Sequence, residues 1–126
     1  MLTHKNCRLE YGATRCVLLV GTWAIKAPAM TEWRLFLLGL LANMQERLFW
    51  QTRWPELCPV LWSIPGGWLV VMRRARVMTE SEFAEFDVES FTQCGSEDGQ
   101  YVVPVEPKAD SFGYLDGRVV AVDYGN

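Results

Sequence analysis

The chain has 126 residues, half of them apolar, and a formal net charge of −3. That length can bury a core without disulfide staples, and so small a net charge selects no partner class by itself. Four scattered cysteines, Cys7, Cys16, Cys58 and Cys94, with no Cys-x-x-Cys and one histidine, His4, give no zinc-ligand spacing and fit reduced thiols in a cytoplasm.

Charge is unevenly placed. Residues 1–76 carry ten Lys/Arg against four acids, residues 77–126 two against eleven, and residues 79–98 hold seven acids and no base. Such a run is either a solvated face or a surface that meets a basic partner. Arg73, Arg74 and Arg76 cluster, but no basic stripe interleaved with aromatics is present, so direct nucleic-acid binding is not expected. The N-terminus lacks the pattern of a secretory signal, and the longest uncharged apolar run, residues 35–42, is too short to span a bilayer. No membrane association is expected.

In chain order, residues 1–12 are polar and suit an edge strand. Residues 15–20 and 23–27 read as two strands joined by the Gly21-Thr22 turn. Lys26, in an otherwise apolar strand, must either reach water or find a buried anion. Pro28 ends that strand, and a helix is predicted over residues 32–51, with Thr31 as N-cap, Glu32 at the positive end of the dipole, and a Met30–Leu35 staple. Residues 35–42 are apolar all round except at Gly39, which predicts packing on more than one face. Gly39, Asn43 and Glu46 form one small-and-polar stripe. Glu46 is therefore either a surface partner of Arg47 or Arg53, or a carboxylate turned inward to a buried cation, for which Lys26 is the candidate.

Residues 58–64 and 68–78 read as the next two strands, joined through Ile64-Pro65-Gly66-Gly67 in a type II turn. Thr79 caps a short acidic helix, with Glu82 completing a capping box. Residues 93–100 read as loop, residues 101–105 as extended, and residues 106–110 lead into a final hairpin. Its Asp116-Gly117 supplies the positive φ angles of a type I′ turn. The second strand, residues 119–122, is apolar enough to be buried on both faces and ends in Asp123, which either caps a turn or points into a cleft and holds a cation. The expected architecture is α+β in a single domain over residues 1–126: an antiparallel sheet of about five strands, one long helix and a terminal β-hairpin.

This order, with Ala24-Ile25-Lys26 on a strand, Glu46 on the long helix, a hairpin ending at Met72, Arg73 and Arg74, and Asp123-Tyr124-Gly125 after the last strand, resembles the amino-terminal lobe of a protein kinase without the helical second lobe. The resemblance implies that Lys26 contacts nucleotide phosphates and Glu46 orients it. It also implies that Met72 and Arg73 meet the adenine and that Asp123 binds magnesium. Residues 106–113 are similar to a catalytic loop, which places Glu106 at the base position, Lys108 at the lysine position and Ser111 as a second metal ligand. The chain as a whole is similar to small kinase-like proteins encoded by bacteriophages. No Gly-x-Gly-x-x-Gly segment precedes Lys26, and Glu at the base position and Ser at the metal position depart from the family pattern.

Two functions follow. The first expectation is a non-catalytic, pseudokinase-type phage protein in the host cytoplasm. It would bind a host macromolecule, potentially inhibiting a defence or signalling system, through tryptophans such as Trp50, Trp54, Trp62 and Trp68 and through the acids Glu80, Glu82, Glu85, Asp87 and Glu89. An uncovered apolar sheet face would be met by the acidic segment, a host protein or a second copy of the chain. The alternative is a minimal phosphotransferase or nucleotide-binding protein that uses ATP and Mg²⁺, with Lys26, Glu106, Ser111 and Asp123 in the roles above.

Overall fold

The computed structural model describes residues 7–93 and 102–125. Five antiparallel strands form the larger sheet in the order β1-β2-β3-β5-β4, and three form a second sheet in the order β6-β7-β8. One long helix lies on the larger sheet, so the fold is α+β, as the element pattern predicts.

The first three strands, β1 (Cys7–Tyr11), β2 (Arg15–Val20) and β3 (Trp23–Pro28), are a meander. The Gly21 turn between β2 and β3 sets Val17 opposite Lys26 and Arg15 opposite Pro28. Residues directly opposite share a sheet face, and alternation places Arg15, Val17, Ala24 and Lys26 on one side. The following helix α1 (Trp33–Trp50) buries Gly39, Asn43 and Glu46. Gly39 is required there, because a Cβ at that position would lie 2.3 Å from the Thr14 carbonyl oxygen.

Two details of α1 differ from expectation. Glu32, not Thr31, is the N-cap, it makes no side-chain cap hydrogen bond, and Met30 is 75% exposed, so no staple with Leu35 is formed. The helix also packs on one face only. Trp33, Leu37, Leu38, Leu41 and Leu48 are exposed, because the sheet accepts the polar stripe and none of the described residues covers the apolar remainder. The helix is inside out.

The hairpin β4 (Val60–Ile64) and β5 (Leu69–Arg73) follows, with a bulge near Trp62. Gly66 has φ +89°, as a type II turn demands at its third position. The run expected as a single strand over residues 68–78 is two. After β5 the Arg74 amide donates to the Thr22 carbonyl at 2.7 Å, still on the large sheet. Residues 76 and 77 are already β6 (Arg76–Val77), paired with β7. The switch brings Ala75 against the backbone of Gly113, where a Cβ would approach it to 3.0 Å.

The acidic segment forms two short helices where one was expected: α2 (Glu80–Ala84), which has the Thr79–Glu82 capping box, and α3 (Val88–Thr92), capped by Asp87. Phe83, Phe86 and Phe91 from this segment gather around the buried ring of Phe112 at centroid distances of 5.0–6.0 Å. The segment is amphipathic, with carboxylates outward and rings inward. The expected loop over residues 93–100 falls almost wholly outside the described residues. Residues 102–108 then run to a 3₁₀ turn, Ala109–Ser111, and the hairpin β7 (Phe112–Leu115) and β8 (Arg118–Ala121). Asp116 and Gly117 have φ of 51° and 81°, the two positive values of a type I′ turn, and β8 starts and ends one residue earlier than expected.

The two sheets share one core. Leu57, Cys58, Val70 and Met72 pack with Val103, Leu115, Val120, Ala121 and Tyr124. Backbone bonds stitch the approach to β4 onto β8, from the Cys58 amide to the Ala121 carbonyl at 2.9 Å and from the Ala121 amide to the Glu56 carbonyl at 2.7 Å. Among the described residues no helix is long and apolar enough to cross a membrane.

Candidate functional site

Three charged residues expected to converge do so, and a fourth joins them. Glu46 is fully buried and faces Lys26, whose Nζ lies 3.0 Å from both carboxylate oxygens. The lysine does not snorkel. It is 6% exposed and also donates to the Val122 carbonyl. Arg15 enters from β2, its guanidinium forked onto Glu46 at 2.8 and 3.1 Å, and reaches Asp123 Oδ1 at 2.6 Å. The Tyr124 amide donates to Glu46 Oε2 at 3.2 Å, so the carboxylate accepts from two cations and the backbone, near its full capacity.

Asn43 sets the geometry from beside Glu46. Its side-chain oxygen accepts from Arg15 at 2.9 Å, and its amide donates to the carbonyls of Lys26 at 3.1 Å and Gly67 at 2.9 Å. One side chain thus ties α1 to β3 and to the β4–β5 turn, while Tyr124 anchors the end of the hairpin by donating its hydroxyl to the Cys58 carbonyl at 2.8 Å. Burial raises the Tyr124 pKa and pushes the Cys58 thiol up to about 11, so both are neutral at physiological pH.

Two cations meet two anions in this cluster, which makes it neutral as a unit. Burial pushes the Lys26 pKa below its ordinary value, with Glu46 opposing and Arg15 assisting the shift. Burial acts against the charge on Arg15 too, but Glu46 and Asp123 outweigh it and its pKa is raised. Asp123 has a side chain 34% exposed. Burial would raise its pKa, yet Lys26 and Arg15 reverse that and hold it below the usual carboxylate value.

A carboxyl with a lowered folded pKa adds stability above its unfolded pKa and loses that contribution as pH falls through the folded value. Unfolding free energy should therefore decline from about pH 4 downward, and Asp123→Asn should flatten part of the decline in urea titrations at several pH values. The rest belongs to Asp116, lowered by the Arg73 hydrogen bond, and to Glu82, lowered to about 2 by its hydrogen bond to Arg76. An Asp123→Asn profile parallel to that of the parent would rule out the acid contribution of this ion pair.

Three members of the cluster, Arg15, Lys26 and Asp123, line a cleft of about 760 Å³. Val17, Leu19 and Ala24 of the sheet face, Met72 and Ala75 of the strand switch, and the exposed group Glu106, Lys108 and Asp110 line it with Lys26 and Asp123. Lys108 stands 3.4 Å from Glu106 and 3.9 Å from Asp110, and those acids hold its pKa above the usual lysine value, Asp110 most. Arg73 borders the same cleft but spends its guanidinium on Asp116, at 2.8 Å.

Other expected residues sit elsewhere. Ser111 is fully buried, its hydroxyl without a hydrogen-bond partner among the described residues, and it is not among the cleft-lining residues. Trp50 and Trp54 pack against the core, whereas Trp62 and Trp68 are 58% and 50% exposed. Glu80, Glu85, Asp87 and Glu89 are exposed. Glu82 is partly covered and engaged by Arg76 at 2.8 Å, and Asp87 caps α3.

Arg15 is the member that reasoning from the sequence missed. It lies two residues before Val17, which pairs with Lys26, so strand parity alone would have placed it on the lysine's face.

No family model matches the chain, no curated protein matches it, and no solved structure matches it.

Proposed function

We propose that this chain is a non-catalytic, kinase-like binding protein, of the kind bacteriophages encode, which acts on a host macromolecule and not on a phosphoryl group. The observation that carries the reading is Arg15. Its guanidinium spans Glu46 and Asp123, so the carboxylate that the resemblance assigns to magnesium is already paired with a cation of the protein. Lys26, assigned to phosphate, is buried and bonded to Glu46 and to a backbone carbonyl. Metal or phosphate entering there would break a neutral, hydrogen-bonded unit and leave a buried charge unpaired, which costs several kcal/mol, roughly 3–5. The lysine–glutamate–aspartate constellation then serves as a lock between helix, sheet and hairpin, and recognition falls to the outer surface.

The test is thermal melting with and without Mg-ATP, together with a γ-phosphate transfer assay. Saturating nucleotide at about a hundred times its Kd would add about 2.7 kcal/mol. An unmoved melting temperature and no transfer are expected. Label transferred to the protein, or to a protein added with it, and lost in Lys26→Ala would overturn the proposal.

A second reading, a minimal phosphotransferase, is favoured by the cleft itself, which Lys26, Asp123, Glu106 and Lys108 all line. It requires Arg15 to swing away when nucleotide enters. Arg15→Ala separates the two: under this reading it changes the affinity for Mg-ATP, while under the first it only lowers stability.

A further inference from the structure

The outward face of α1 is an apolar seam that none of the described residues covers. Leu37, Leu41, Met44 and Leu48 recur at steps of four, three and four residues, the spacing of a two-helix seam. They lie on the side opposite the buried Gly39, Asn43 and Glu46. Leu37, Leu41 and Leu48 are 45%, 46% and 54% exposed. The seam continues into aromatics, because Trp33, 72% exposed, stacks on Phe36 at 5.6 Å, and Phe36 meets Trp68 at 5.4 Å.

We infer that this face is the interface of a symmetric homodimer in which α1 packs antiparallel against α1 of a second copy. Three observations select a second copy as the occupant. The first is area. An aromatic side chain presents about 150–250 Å² when free; with the fractions recorded for the exposed leucines, Met30, Trp33 and Trp68, the face leaves roughly 700 Å² of apolar surface. That exceeds the largest patch of a typical monomer, about 300–600 Å², and approaches the ~800 Å² per partner of a specific interface.

The second observation is that the spacing is self-complementary. Two copies turned head to tail about the point between Leu41 and Met44 place Leu37 opposite Leu48 and Leu41 opposite Met44, twice each by symmetry. An isologous contact of this kind needs only one sequence to satisfy both sides. The third is charge. The antiparallel arrangement brings Glu32, exposed just before the helix, to the end of the partner helix that carries the exposed Arg47 and Arg53, and it opposes the two helix dipoles. A parallel pairing would instead set Glu32 on Glu32 and Arg53 on Arg53. This assignment stands apart from the cleft and from the function proposed for the chain.

The test is sedimentation velocity of the full chain from sub-micromolar to high-micromolar concentration. The expected result is a concentration-dependent species of twice the chain mass. Leu41→Glu, which puts a carboxylate into the seam of each copy, should weaken the dimer about a hundredfold while circular dichroism stays that of the parent. Glu32→Arg should weaken it about tenfold, and Glu32→Arg with Arg53→Glu should restore it. If Leu41→Glu fails to fold, the register is read from cysteines: Leu37→Cys with Leu48→Cys should give an oxidised covalent dimer, and Leu37→Cys alone should not.

A chain that stays monomeric throughout, leaving the seam to a different protein, overturns the inference. So does a dimer that persists in folded Leu41→Glu, or a cross-link that forms equally well through Leu37→Cys alone.

Discussion

Glu46→Ala should destabilise the protein by about 4 kcal/mol, within the range of roughly 3–5 kcal/mol seen when one partner of a buried ion pair is removed. The carboxylate is fully buried and satisfies Lys26, Arg15 and the Tyr124 amide together. Its loss leaves two buried cations facing Asp123 alone. Urea denaturation reads the change. Glu46→Gln, which keeps the shape and an acceptor oxygen but not the charge, should cost less, about 2 kcal/mol.

The variant has a signature that a simple packing defect lacks. Lys26 already has a lowered pKa, with burial as the largest cause and Glu46 the main opposing influence, so removing Glu46 lowers it further. Between the folded pKa and the ordinary lysine value near 10.4 the unfolded chain then binds more protons, and stability rises with pH across that window. Glu46→Ala should thus recover part of its loss toward pH 10, whereas a cavity mutant would not. Adding Lys26→Met to Glu46→Leu should restore much of the loss at neutral pH, because an apolar pair of similar volume avoids burying an unpaired charge. A double variant as unstable as Glu46→Ala would show that the ion pair is not the source.

The burial of Glu46 was legible because a helix with one polar stripe among leucines leaves few places for a carboxylate. The same stripe argument misled on the leucines. An apolar surround implies burial, and α1 instead spends its one packed face on the polar groups, which no periodicity count distinguishes from a helix wrapped on all sides. Turn chemistry read well at Pro65-Gly66 and Asp116-Gly117, where few backbone conformations suit the residues. The strand from residue 68 to 78 read poorly because its break is tertiary: Arg74 is held by the Thr22 carbonyl and Met78 by that of Phe112, partners distant in the chain. Arg15 escaped for a different reason, since arginine at the start of a strand is ordinarily solvated, and only pairing parity with Lys26 distinguishes it.

Neutrality of the cluster links stability to function. An active site poised for phosphate needs surplus positive charge, and one poised for a metal ion needs surplus negative charge. Lys26, Glu46 and Asp123 alone would carry one surplus negative charge, and Arg15 cancels it. Removing Arg15 therefore unbalances the cluster by one charge, whereas changes at Glu106 or Lys108, exposed in the cleft lining, leave the cluster neutral.

Gly67→Ala should cost about 3–4 kcal/mol, and Gly117→Ala only about 1 kcal/mol, although their φ angles are nearly equal at +82° and +81°. Both substitutions place an L-residue in a left-handed conformation, worth roughly 1–2 kcal/mol. The difference is space. A Cβ on Gly117 meets nothing within 4 Å, while one on Gly67 would lie 2.0 Å from the Leu40 carbonyl oxygen, a collision between two backbones that no rotamer relieves. The β4–β5 turn must then lift from α1, at the overpacking cost of about 1–3 kcal/mol. Lifting also pulls the Gly67 carbonyl from Asn43, whose other bonds hold Arg15 and the backbone of Lys26. The loss in Gly67→Ala should accordingly be non-additive with Asn43→Ala in a double-mutant cycle, and the loss in Gly117→Ala additive. Equal costs for the two glycine variants in urea titrations would mean that the turn slides freely over the helix, and that Asn43 does not hold the charged cluster through it.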